Sequence, residues 1–126
     1  MGRRYLTDFE IWNALHRGKA VEAFIGPCSF EGEKGIKWLS INKKDQFQIS
    51  IFVSSDFGHE NNLDLYSFGP LDPDLESDEP NEQIVFDQIE DCLHEIEIRF
   101  PESRRKLVNE FGVQDEYLDF IQNGRK

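Results

Sequence analysis

The sequence predicts an α+β fold: an N-terminal helix, a four-stranded antiparallel meander, and two or three C-terminal helices packed on one face of that sheet. Three observations predict it. Apolar residues recur at steps of three and four near both ends of the chain, and they alternate with period two through its middle. The connections between the alternating runs are too short to carry parallel crossovers. At 126 residues, with 38% hydrophobic residues and eleven Phe, the chain can bury a core without disulfides or metal. Residues 1–126 are therefore read as a single domain.

The first element is a helix from Thr7 to Arg17. Thr7 is placed to cap it, Glu10 to return a bond to the Thr7 amide, and Leu6 to staple against Ile11. Phe9, Ile11, Trp12 and Leu15 supply its apolar side, His16 suits the negative end of the dipole, and Gly18 closes it. Strand one follows from Lys19, with Val21, Ala23 and Ile25 alternating against Ala20, Glu22 and Phe24 until Gly26-Pro27 ends the run. Ile36 to Asn42 and Phe47 to Ser54 alternate in the same way. The short polar loop between them makes strands two and three a hairpin. Leu63 to Phe68 reads as strand four.

Composition then shifts. Residues 69–82 hold three prolines and a run of acids, the signature of an acidic linker crossing the surface. Gln83 to Phe100 is the longest helical pattern in the chain. Val85, Ile89, Cys92, Leu93, Ile96 and Phe100 form its buried stripe, and Asp87, Glu90, Asp91, Glu95 and Glu97 lie mostly on the opposite arc. Pro101 starts a new helix carrying Leu107, Val108 and Phe111 and ending at Gly112. Asp115 caps a last short helix holding Tyr117, Leu118, Phe120 and Ile121.

Charge is the most informative property of the sequence. Residues 1–70 hold eight Lys/Arg against nine Asp/Glu, and residues 71–126 hold six against sixteen, so about −1 and −10 of the net −11 fall in the two parts. Eleven acids between Asp72 and Glu97 are interrupted by no Lys or Arg. Such a surface repels nucleic-acid phosphate and anionic lipid and attracts cationic surfaces.

Motifs for chemistry are weak by comparison. Asp56, His59 and Glu60 could form part of a metal site or an acid–base pair, but their spacing is also that of a polar turn. Asp72, Asp74, Glu76 and Asp78 alternate as at the start of a calcium loop, yet Ser77 stands where glycine is needed and Gln83 where a bidentate Glu is required. Cys92 and His94 point about 200° apart on a helix and cannot act together. Cys28 and Cys92 read as reduced thiols. The stretch after Met1 has positive charge but no apolar leader, and Leu6 replaces the hydroxyl that a myristoylation motif needs. A cytoplasmic protein is expected.

These features point to a non-enzymatic acidic module that docks on a basic partner protein through Asp74, Glu76, Asp78, Glu79, Asp87, Glu90, Asp91 and Glu95. A bacterial immunity or antitoxin-type inhibitor, masking the cationic groove of a nuclease-like toxin, is its concrete form. The alternatives are a small metal-dependent or hydrolytic enzyme using Asp56, His59 and Glu60, and an acidic adaptor subunit. No cofactor, metal, nucleic acid or membrane is expected to bind, and the sequence does not specify the oligomeric state.

Overall fold

The computed structural model describes residues 5–58, 63–76 and 79–123. Its centre is a five-stranded antiparallel sheet of order β4-β3-β2-β1-β5, formed by β1 (Val21–Phe30), β2 (Glu33–Lys43), β3 (Phe47–Ser55), β4 (Glu82–Phe86) and β5 (Val108–Asn109). The β1–β2 hairpin closes on Glu31 and Gly32, whose φ angles of 50° and 87° are those of a two-residue turn that follows the twist of the strands. The β2–β3 hairpin is the expected one, with Lys43 opposite Phe47.

Three expectations for the strands are corrected. β1 does not stop at Gly26-Pro27 but passes through a bulge between Phe24 and Gly26 and continues to Phe30. β5 pairs with Val21 and Glu22, and among the described residues no strand pairs with the rest of that side of β1, an edge where a proline is tolerated. Leu63 to Phe68 is not a strand. It holds a short 3-10 turn at Leu65–Ser67 with Leu65 buried. The fourth strand is instead Glu82–Phe86, the front of the stretch expected to be helical. Val85 is 50% exposed there, and Ile49 faces Ile84 across the ladder.

Three helices flank the sheet: α1 (Asp8–His16), α2 (Ile89–Arg99) and α3 (Val113–Gln122). The cap of α1 has the predicted reciprocal form, with the Glu10 amide donating to Thr7 Oγ1 at 3.2 Å and the Thr7 amide to Glu10 Oε1 at 2.8 Å. No helix follows Pro101. Residues 101–105 make turns that lead into β5, and Gly112 precedes α3 rather than ending a helix before it. A Cβ on Gly112 would stand 2.9 Å from both the Asn109 carbonyl oxygen and Val108 Cβ, so only glycine fits where β5 turns into α3. Asp115 lies inside the first turn of α3, not at its cap.

The helices do not share one face. Alternation along β2 and β3 sends Leu39, Ile41, Ile49 and Ile51 to one side, where they pack with Ile11 and Leu15 of α1 and Ile89, Cys92, Leu93 and Ile96 of α2. Ile36 and Trp38 point to the other side and pack with Leu65 and with Val113 and Tyr117 of α3. Both faces of the central strands are covered, so the chain is a three-layer α+β structure. The segment from 69 onward is no free linker either. It is tied along the edge of β3 by the Leu71 amide to the Val53 carbonyl (3.0 Å), the Asn81 amide to the Ile51 carbonyl (2.8 Å) and the Val53 amide to Asn81 Oδ1 (3.0 Å).

Candidate functional site

The acids singled out in the sequence fall into two groups, one on the segment tied to the edge of β3 and one at the start of α2. Asp74, Glu76 and Glu79 are exposed on the segment tied to β3, where Glu79 Oε1 accepts the Glu76 amide at 3.1 Å. Glu79 also borders a small cavity on the α3 side, beside Trp38 and Tyr66. Asp78 lies outside the described residues. Asp87, Glu90 and Asp91 are exposed at the start of α2, with Glu97 two turns further along. The linker acids thus lie on the segment along the edge of β3 and the helix acids on α2.

Compensation differs within α2. Arg99, just past the uninterrupted acidic run, turns back on it. Its guanidinium donates to Glu82 at 2.6 and 2.8 Å and approaches Glu95 at 3.7 Å. The hydrogen bonds from Arg99 hold the Glu82 carboxyl below its usual range. Glu95 is thus part of an ion-pair cluster between α2 and β4. Asp87 accepts a hydrogen bond from Gln46 at 2.6 Å. Glu90 and Asp91 lie in the first turn, where carboxylates also suit the positive end of the helix dipole. Among the described residues, no Lys or Arg pairs with Glu90, Asp91 or Glu97.

Beside these acids runs a groove of about 640 Å³ between α1 and α2. Phe9 and Trp12 form its α1 wall, Ile89 and Leu93 its floor, and Glu90, His94 and Glu97 its α2 rim. Asp8 and Arg104 close one end as a salt bridge of 3.0 Å. Phe9 is 71% exposed and Trp12 45%, large apolar areas that a solvated surface has no need to present. The Trp12 indole stacks on His16, ring centroids 3.9 Å apart, and the Trp12 carbonyl lies 2.8 Å from His16 Nδ1, which fixes the indole's orientation.

Sequence reasoning assigned Phe9 and Trp12 to the buried side of α1. The signal against this was present. Ile11, Ala14 and Leu15 already fill one arc of a helix at 100° per residue, and Phe9 and Trp12 fall on a second, adjoining arc.

The other candidate chemistries have a different standing. Of the Asp56, His59 and Glu60 group, His59 and Glu60 lie outside the described residues, and Asp56 accepts the Tyr117 hydroxyl at 2.7 Å. That hydroxyl in turn accepts the Gly58 amide at 2.8 Å, so Tyr117 holds the start of this loop against α3. Cys92 is fully buried while His94 is exposed. Burial, with the charge of Glu95, pushes the Cys92 thiol up to about 12, whereas Cys28 is half-buried. With a thiol reagent at about pH 8, Cys28 should be the faster thiol and Cys92 should react only on denaturation. Two equally fast thiols in the folded protein would contradict the packing of α2.

One buried acid had no prominence in the sequence. Glu22 alternates with apolar neighbours in β1 and reads as a solvent-facing strand residue, but α3 and the Leu65–Ser67 turn cover its face of the sheet and leave it fully buried. Its carboxylate accepts the Tyr66 hydroxyl and, at 3.3 Å, the Val113 amide at the start of α3. Burial raises its pKa despite those bonds, and the neighbouring charge of Glu110 acts in the same direction.

Among the described residues, no helix is long and apolar enough to cross a membrane. Compared with family models, with curated proteins and with solved structures, the chain matches none.

Proposed function

We infer that the protein is a non-enzymatic binding module that docks on a basic partner protein through the outer side of α2 and the groove beside it. The observation that carries this reading is the juxtaposition of Glu90 and Glu97 with exposed Phe9 and Trp12 around one groove, with Asp91 exposed next to Glu90, all three acids unpaired with Lys or Arg among the described residues. An apolar centre flanked by charge is the anatomy of a recognition surface, in which aromatic anchors supply affinity and the charged rim supplies steering and selectivity. The arrangement also has a cost to the fold. Asp91 and Glu95 are like charges at i,i+4, a spacing that destabilises a helix by a few tenths of a kcal/mol. A lysine at position 91 would relieve it.

The surface proposed here is narrower than the one read from sequence. Asp87, Glu90 and Asp91 stay in it, Glu97 joins it, and Glu95 belongs with Arg99. Asp74, Glu76 and Glu79 lie along the edge of β3. An immunity-type inhibitor that covers the cationic groove of a toxin is one concrete form of this function, supported by small size and acidity alone.

The test compares two baits in the native lysate, the parent protein and a Glu90→Lys/Asp91→Lys/Glu97→Lys variant. The parent should capture a basic protein that the variant loses, with both baits folded and the variant melting only somewhat lower, since these side chains face water but lysines at 90 and 91 oppose the helix dipole. Reversing Lys37 or Lys43 should leave capture intact. Recovery of the same proteins by parent and triple variant would make the acidic side of α2 ordinary solvated surface.

A further inference from the structure

We propose that the α1–α2 groove takes one amphipathic helix of the partner, with its apolar stripe on Phe9, Trp12 and Leu93 and its Lys or Arg residues against Glu90 and Glu97. The inference rests on the reading above and specifies the partner's local structure. Both carboxylates border the same groove, and they stand seven residues apart on one helix, which places them about 10.5 Å apart along its axis. Cations at i and i+7 of a second helix lying alongside have the same spacing. An extended segment does not match it, because side chains on one face of a strand recur at about 6.7 Å and then about 13 Å.

The length of the groove agrees. α2 has eleven residues, about 16 Å or three turns, enough to meet anchors at i, i+3 or i+4, and i+7. The α1 wall adds a second preference. Trp12 presents an indole held in place by His16, and an indole face attracts a desolvated guanidinium or ammonium more strongly than any other aromatic ring does. His94 stands on the rim between the two carboxylates. At the closed end the charge of Asp8 is already met by Arg104, with Arg105 at 3.7 Å, so the uncompensated charge lies along the α2 rim.

A second copy of this chain is a poor occupant. Each copy carries a net charge of −11, and self-association through this rim would set carboxylates against carboxylates. A cationic helix meets both the charge and the spacing.

The experiment uses the full-length protein and two synthetic peptides of identical Lys and Leu content. One has leucines at helical spacing and lysines seven apart. The other carries the same residues in strict alternation. The helical pattern should bind at least tenfold more tightly, gain helical circular dichroism on binding, and shift an emission signal that disappears in Trp12→Phe. Phe9→Ala, at a side chain largely in water, should weaken that binding about tenfold without changing the melting temperature. Glu90→Gln/Glu97→Gln should flatten its salt dependence.

Equal affinity for the two peptides, or binding that ignores Phe9→Ala, would overturn the helix-in-groove assignment while leaving an acidic surface that attracts cations. Failure of both peptides to bind would also overturn it, even if the parent bait still captured a basic protein that the triple variant lost. Loss of that difference between the baits would instead remove the broader reading.

Discussion

Replacing Glu22 with alanine should destabilise the protein by about 1–3 kcal/mol, because the buried Val113 amide is left without an acceptor, and the half-buried Tyr66 hydroxyl loses its carboxylate partner as well. The carboxylate joins three parts of the chain that sequence separates, namely β1, the connection between β3 and β4, and the start of α3. Glutamine keeps a carbonyl acceptor at the same place, so Glu22→Gln should be far milder.

The pair also predicts a pH dependence whose sign follows from the direction of the shift. Burial raises the Glu22 pKa above its ordinary value of 4.5, so the folded state holds the proton more tightly than the unfolded chain does. The stability that protonated Glu22 contributes is therefore fully present below its ordinary pKa and is lost as pH rises through the folded value. Denaturation of the parent and of Glu22→Gln at several pH values separates this from the other carboxylates, which both proteins share. The parent should gain stability relative to Glu22→Gln as pH falls from about 7 to about 4. A constant gap would show that Glu22 titrates normally in the fold.

Truncating Ile96 to alanine should cost about 2–5 kcal/mol, through lost burial and the cavity left behind. Ile96 is 1% exposed and lies where α1, α2 and the first face of the sheet meet. Chemical denaturation should show a lower midpoint with an unchanged slope. A midpoint within error of the parent would mean that α2 is not the element that closes this side of the core.

The legible parts of the fold were those whose signals are local. The cap of α1 needs only Thr7 and Glu10, and the β2–β3 hairpin needs only two alternating runs and a polar loop. The stripe from Ile89 to Ile96 was legible for the same reason, since helical spacing continues without a break over two turns.

What failed was decided by pairing over distance. Val85 continues the helical spacing of Ile89 and Cys92, yet Ile84, Val85 and Phe86 are also a run of β-branched and aromatic residues that suits a strand. Its place beside Phe47 to Ile51 is what selects the strand. Leu63 to Phe68 alternates, but the edge of β3 that it would need is taken by β4 and by the tied segment around Leu71 and Asn81. The second buried face was written in Phe24, Ile36, Trp38 and Phe52, which alternate with the residues of the first face. Central strands that are apolar on both sides call for cover on both sides.

The proposed docking surface was half legible for a related reason. A charge count picks out acids regardless of their partners, so it put Glu95, which Arg99 compensates four residues later, beside Glu90 and Asp91. It could not separate the linker acids, which lie on the segment tied to the edge of β3, from the acids of α2. Phe9 and Trp12 were read as core because their exposure depends on how α1 sits against α2.

The most direct test of the binding reading is the association rate of the captured partner at two ionic strengths, about 50 mM and about 300 mM, with the parent and with Glu90→Lys/Asp91→Lys/Glu97→Lys. Exposed carboxylates steer a cationic partner over a screening length of about 8 Å at physiological salt, and less as salt rises. The parent should associate fast at low salt and about tenfold or more slowly at high salt, and the triple variant should be slow at both. An association rate that is flat in salt and unchanged by the triple reversal would contradict the assignment of the acidic side of α2 as the docking surface.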